Sequence, residues 1–366
     1  MLILNRLQTI LIGEIVSNLG LMALLGSGET SATGGQIFET IASKLNIPVS
    51  IRILETPAGF ELNASRVAGR VGEFLSTRLQ NYQPDIKLIP ARKRGTPYSP
   101  ESPAVLQDLL DAQMIFMGPG SPTYAVRQLK GSLAWDYLQT LHRLGSAVIL
   151  ASAATISFGE IALPVYEIYK VGEDPFWKPG LDFFKPYGLS LAFIPHWNNS
   201  DGGSELDTSH CFIGMARYEP LSRQLPPGLT VVGLDEHTGV VIDFNEQTCH
   251  VIGRSQVHIV SNGNETVFQN GERFDIRQLG DYHPLENAQH GIDQEVWQKV
   301  SKERQSLLAA RSQPEQAPER VLELVEQRQK ARQNKHWEES DQLRDKIASL
   351  GWNVMDTPQG PHLERS

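Results

Sequence analysis

From Leu24 to about Val260, short apolar runs alternate with amphipathic stretches, and this alternation limits the fold more than any other feature of the chain. LLGSG, VSIRILETPAG, IKLIPA, QMIFMGPGSP and SAVILASAA each read as a strand running into a loop. Between them, QIFETIASKL, ASRVAGRVGEFLSTRLQNY, SPAVLQDLLDA and YAVRQLKGSLAWDYLQTLHRLG carry helical spacing. One of these opens with Ser-Pro and another closes on glycine, both normal helix boundaries. Continuous apolar runs suit strands buried on both faces. Alternation with helices predicts an α/β fold with a doubly wound, mostly parallel sheet. Ligands of such sheets lie at the carboxyl ends of the strands, so the chemistry is sought in the loops there.

Farther on, LSLAFIPHW, LTVVGLDEHTGVVIDF, TCHVIGRSQVHIVS and ETVFQNGERFDI form a run of β segments. They are expected to extend an edge of the same sheet, with SNGNE as a hairpin turn. Residues 22–280 would make the main domain. Residues 281–317 read as a helical connector ending in the linker SQPEQAPER. Residues 318–366 read as a helical hairpin with an extended arm, WNVMDTPQG, and Leu322, Val325, Leu343 and Ile347 supply its apolar positions. Residues 1–21 are either a start-site extension or an amphipathic helix docked on the body.

Composition narrows the function. The chain has 42 acidic against 33 basic residues, a net charge of −9. Its surface as a whole does not attract nucleic acid, so any RNA contact has to be local. There is no run of about 20 apolar residues, which argues against a membrane span. Two cysteines, Cys211 and Cys249, rule out a disulfide framework and a four-cysteine zinc site, and fit a reducing cytoplasm.

Four strand-end features could carry chemistry. The loop GSGETSATGG matches neither the dinucleotide fingerprint nor a P-loop. Its Gly26, Gly28 and Glu29 form either a structural turn or a ligand rim. Gly118-Pro119-Gly120 would point backbone amides into the crevice, where they could hold an oxyanion. Ser152, after the strand AVIL, occupies a strand-to-helix turn like a nucleophile elbow; the alternative is a small packed residue. His196 ends a strand where a general base would face the crevice, and Asn198 follows on the same rim. His196 could instead join Asp207 and His210 in a metal site, or be one of several loop polar groups bonded to each other.

In this order the motifs GSGE, MGPGSPTYAVRQL, ASAA, IPHW and GLDEHTGVVID resemble the serine peptidase family of aspartyl dipeptidase and cyanophycinase, which has the class I glutamine amidotransferase-like fold. The resemblance implies that Ser152 attacks the carbonyl of a small peptide or amide and that His196 takes its proton. It implies oxyanion donors at Gly118, Gly120 and Ala153, an orienting acid at Glu167 in LPVYEIYK, and no cofactor. Asp235 and Glu236 are read as structural. Two departures stand out. The elbow reads LASAAT where the family has GxSAGA, and NNSDGGSELDT replaces the family's basic residues after the histidine. A catalytically inactive binding scaffold is the alternative.

Arg328 to Gly360 is similar to the C-terminal module of cysteinyl-tRNA synthetase, through the pattern AR..K.W..SD.LRD.I...G....DTP.G. This implies tRNA or RNA contact through Arg328, Lys330, Arg332, Lys335 and Arg344, with Trp337 or Trp352 stacking on a base. The alternative is a solvated helix pair whose tryptophans pack the hairpin. The sequence leaves the oligomeric state open, a homodimer included.

Overall fold

A computed structural model describes residues 19–312, 317–357 and 360–365. The reading of residues 1–21 therefore lies almost wholly outside the described residues. The chain divides into two units, one up to Leu307 and one from Leu308.

In the first unit, Met22–Leu25 (β1), Ser50–Leu54 (β2), Asp85–Ile89 (β3), Met114–Met117 (β4) and Ala147–Ala151 (β5) form the parallel part of one sheet, in the order β1-β5-β4-β2-β3. Alternate side chains feed two separate cores. Leu24, Ile115 and Leu150 enter the larger one, while Leu25, Phe116 and Ile149 enter the other. Burial on both faces explains why these strands read as unbroken apolar runs. Serine side chains at 31, 102, 121 and 132 cap the helices that follow them, and proline succeeds the cap at 103 and 122.

The later strands divide between two sheets instead of extending one. Leu191–Ile194 (β6) and Thr230–Leu234 (β7) are parallel neighbours in a second sheet. Thr238–Asp243 (β8) and Thr248–Gly253 (β9) return antiparallel to the first sheet beside β1. Gln256–Ser261 (β10) and Asn264–Gln269 (β11) complete the second sheet through the expected Asn262-Gly263 turn, and Arg273–Asp275 (β12) ends the first. LTVVGLDEHTGVVIDF is thus two strands in two sheets. The chain changes direction at Asp235–His237, where His237 takes a left-handed φ of 55°. Tyr282, Leu285 and Val300 pack into the larger core, so the first unit continues past residue 280.

The second unit holds helices Glu319–Gln333 and Trp337–Ser349. The expected extended arm is a hairpin of Trp352–Thr357 (β13) with Gly360–Arg365 (β14). Its core is Val321, Val325, Ile347, Trp352 and Val354, with Leu343 also buried. Leu322, expected inside, is 48% exposed; its neighbour Val321 faces inward in its place.

Candidate active site

At the end of β5 the chain turns at once into the helix Ala153–Ser157, and Ser152 makes that turn at φ 53°, ψ −115°. A non-glycine residue in such a region costs on the order of 1–3 kcal/mol and persists only where its surroundings over-determine it. Here the Ser152 amide donates to Leu25 O, fastening the turn to β1. Ala154, in place of the family's glycine, lies in the helix and is fully buried, without a positive φ.

The half-buried Ser152 Oγ lies 3.1 Å from His196 Nε2. His196, just past β6, is itself left-handed at φ 50°. Its Nδ1 is 2.8 Å from Glu236 Oε1. Asn199 Nδ2 donates to the same oxygen at 2.9 Å, and the Glu236 amide donates to Asn198 Oδ1 at 2.8 Å. Hydroxyl, imidazole and carboxylate thus come from three strand ends in two sheets. Burial pushes the Glu236 carboxyl up, but the hydrogen bonds from His196 and Asn199 outweigh it, and the group ends below its ordinary value.

Glu167 is not the acid in this line. Its Oε1 accepts from Lys178 Nζ at 3.2 Å, on the turn Glu167–Val171. Glu236, read from the sequence as structural, touches the imidazole instead. The signal that could have found it is the polar interruption DEH inside a long apolar run, because a strand interior would not carry three such residues.

The first glycine loop serves this acid. A Cβ on Gly26 would lie 2.2 Å from Asp235 O, and one on Gly28 (φ 76°) would lie 2.3 Å from His237 Nδ1. Both glycines let the loop pack against the turn that carries Glu236, and Ser27 Oγ accepts from the His237 amide. Gly26, Gly28 and Glu29 are not among the residues that line the cavity at Ser152, and Gly26 and Gly28 pack against the turn that carries Glu236. Asn198 likewise acts on Glu236.

That cavity, of about 240 Å³, is bordered by Gly120, Ser152 and Ala153 among others. Gly120 (φ 151°) could not be another residue, since a Cβ there would lie 2.1 Å from Pro57 O. Neither the Gly120 amide nor the Ala153 amide takes part in a hydrogen bond among the described residues. Gly118 borders a different small cavity, with Glu55 and Pro57.

The metal alternative does not assemble. Asp207 accepts from the amides of Ser209 and Met215, and the His210 ring lies between those of Trp197 and Tyr218, at 4.1 and 4.3 Å. Among the described residues, no three His, Cys, Asp or Glu side chains are grouped to hold a metal ion. Behind the site, His258 stacks on Trp197 at 5.2 Å and lies between Asp235 and Glu265. Burial opposes its protonation, but those two carboxylates outweigh burial and raise its pKa.

In the second unit several implied RNA contacts are engaged elsewhere. Arg328 is buried and forks onto Asp356 at 2.8 and 2.9 Å. Arg332 shares that carboxylate at 3.3 Å, Arg344 pairs with Asp341 at 3.5 Å, and Trp352 is in the core. Lys330 and Lys335 are exposed. Trp337 is 56% exposed, with the Arg332 guanidinium 5.7 Å from its ring centre.

Comparison with known proteins follows the same division. The structure is similar to a solved peptidase from an acI-B1 Actinobacterium, with a TM-score of 0.55 and 19% identity, over 70% of this chain and 97% of that one. A putative peptidase E protein from Listeria monocytogenes is less alike, with a TM-score of 0.40 and 11% identity, over 69% of this chain and 98% of that one. The first likeness establishes the fold: the mostly parallel α/β architecture that the strand–helix alternation predicts. Residues 315–362 match the cysteinyl-tRNA ligase anticodon binding domain. Over 51 residues the chain is 51% identical to cysteine–tRNA ligase of Caldicellulosiruptor saccharolyticus, covering 14% of this chain and 11% of the ligase. The enzyme of Methanosarcina mazei is 48% identical over 52 residues, again 14% of this chain and 11% of the ligase. The chain therefore spans about a tenth of the length of the curated relatives it matches. No helix among the described residues is long and apolar enough to cross a membrane.

Proposed function

We propose that the main body is a serine-type peptidase or amidase. The observation that carries this reading is the strained Ser152, its Oγ 3.1 Å from an imidazole whose far nitrogen is held by Glu236 at 2.8 Å. The likeness of the fold to a solved peptidase supports it. His196 takes the Ser152 proton as Oγ attacks an amide carbonyl, and hands it to the leaving amine. Glu236 fixes the ring so that Nδ1 carries its proton and Nε2 accepts. The free amides of Gly120 and Ala153 face the developing oxyanion. This chemistry calls for no cofactor, and a cytoplasmic setting goes with two free, buried thiols.

The test is amide hydrolysis by purified protein. Ser152→Ala should cut kcat by about 10³–10⁶-fold with the fold intact. Unchanged turnover in that variant would refute the mechanism, and an inert wild type would leave a binding scaffold.

The second unit reads as an RNA-contacting module, on the strength of its match to an anticodon binding domain. Exposed Trp337 offers a stacking face with the Arg332 guanidinium 5.7 Å from its ring centre, and Lys330 and Lys335 of the same unit are exposed. Trp337→Ala should weaken tRNA binding by about 1–3 kcal/mol, measured at two salt concentrations. Binding that ignores both the substitution and the salt would remove this reading.

A further inference from the structure

The cavity beside Ser152 bears on which substrate the hydrolase takes. Ile156, Val165, Tyr166, Tyr169 and Phe212 line it, and Lys170 is the one charged side chain among its described lining residues. Lys170 is exposed, and its Nζ lies 4.6 Å above the centre of the Tyr169 ring. The cation therefore stays at the solvent rim, against an aromatic face, and the interior is left to aliphatic and aromatic groups.

The position of the cavity says which part of a substrate it meets. Gly120, Ala153 and Ser152 border it, and His196 is not a lining residue, although Phe212, 5.1 Å from the His196 ring, is. In amide cleavage the imidazole protonates the leaving amine, so that amine lies on the His196 side.

Resting on the hydrolase reading, we propose that this cavity receives the acyl-side group of the substrate and selects a large, uncharged apolar or aromatic group over a carboxylate. A carboxylate drawn inside would lose water without a buried cation to pair with, since Lys170 is exposed. A ring or branched aliphatic group would exchange water for contact with Tyr169, Phe212, Ile156 and Val165. About 240 Å³ is room for a ring-sized group. The step balances as an acyl transfer. The Oγ–C bond forms as the C–N bond breaks, and the serine proton passes through His196 to the amine. Water then attacks the acyl-enzyme with the same base and releases the acid.

The experiment compares kcat/KM for aminoacyl anilides that share one leaving amine and carry Phe, Leu, Ala or Asp as the acyl residue. Phe and Leu should exceed Ala by at least about tenfold, and Asp should fall below Ala. Val165→Phe, which narrows the cavity, should lower the Phe-to-Ala ratio by at least about tenfold. An Asp preference that disappears in Lys170→Met would overturn the proposal, as would equal rates across the series; either result leaves the hydrolase reading standing. If no anilide is cleaved and Ser152 resists a fluorophosphonate, the hydrolase reading fails and this proposal falls with it.

Discussion

Polar side chains meet opposite fates in the two units. In the main body, Ser152, His196 and Glu236 form one hydrogen-bonded line, two of them at positive φ, and Ser152 borders a cavity. In the tail, Arg328 is buried with its fork closed on Asp356, and Trp352 fills the core. Both arrangements are held together by charge-assisted hydrogen bonds, but only one leaves reactive groups pointing at open space. A buried charge paired with a carboxylate within its own fold is architecture. A strained, half-buried hydroxyl facing a cavity is a candidate site.

The contrast is most exposed to test at the acid. Glu236→Gln should lower kcat by about 10²–10⁴-fold, because the imidazole loses the partner that fixes its tautomer. Glu167→Gln, which disturbs only a partly exposed pair with Lys178, should stay within about twofold. The reverse pattern in steady-state kinetics would return Glu167 to the role the resemblance gave it.

A smaller effect is expected in the tail. Arg328→Met should cost that unit about 1–2 kcal/mol, after allowing for the half-exposed Asp356. Hydrogen exchange of β13 and β14 reads this directly, and the body's hydrolysis should not change. Loss of RNA binding with no loss of exchange protection would make Arg328 a contact residue instead.

The smallest effects are in pH, and they run in opposite directions. His258 is raised in the folded state, so its contribution is fully present below about 6.5 and is lost as pH climbs through the raised value. Asp356 is held low, by its hydrogen bond to Arg328 foremost. Its contribution is present above the ordinary carboxylate value and is lost as pH falls through the lowered one. Exchange measured across pH should show the second sheet of the body loosening on the alkaline side and the tail on the acid side. The same pH response in both units would contradict these pairings.

Much of this was legible in the residues. Unbroken apolar runs such as MIFM and AVILA pointed to the parallel strands, and small residues around Ser152 marked the elbow. The acid was not legible, because GLDEHTGVVID reads as one strand until the chain is seen leaving one sheet for the other at Glu236. The division into two sheets escaped for the same reason: a strand's own pattern does not name its neighbour. In the tail, the span that matches the anticodon binding domain includes Arg328, Trp337 and Trp352 alike. Similarity over that span does not separate the residues that pack from those that reach outward.

The most direct test is to treat the full chain with a fluorophosphonate and map the adduct by mass spectrometry. A single adduct on Ser152, absent from Ser152→Ala and slowed in Glu236→Gln, is the expected result. An unmodified Ser152 in folded protein, or labelling that persists elsewhere after Ser152→Ala, would contradict the proposed nucleophile.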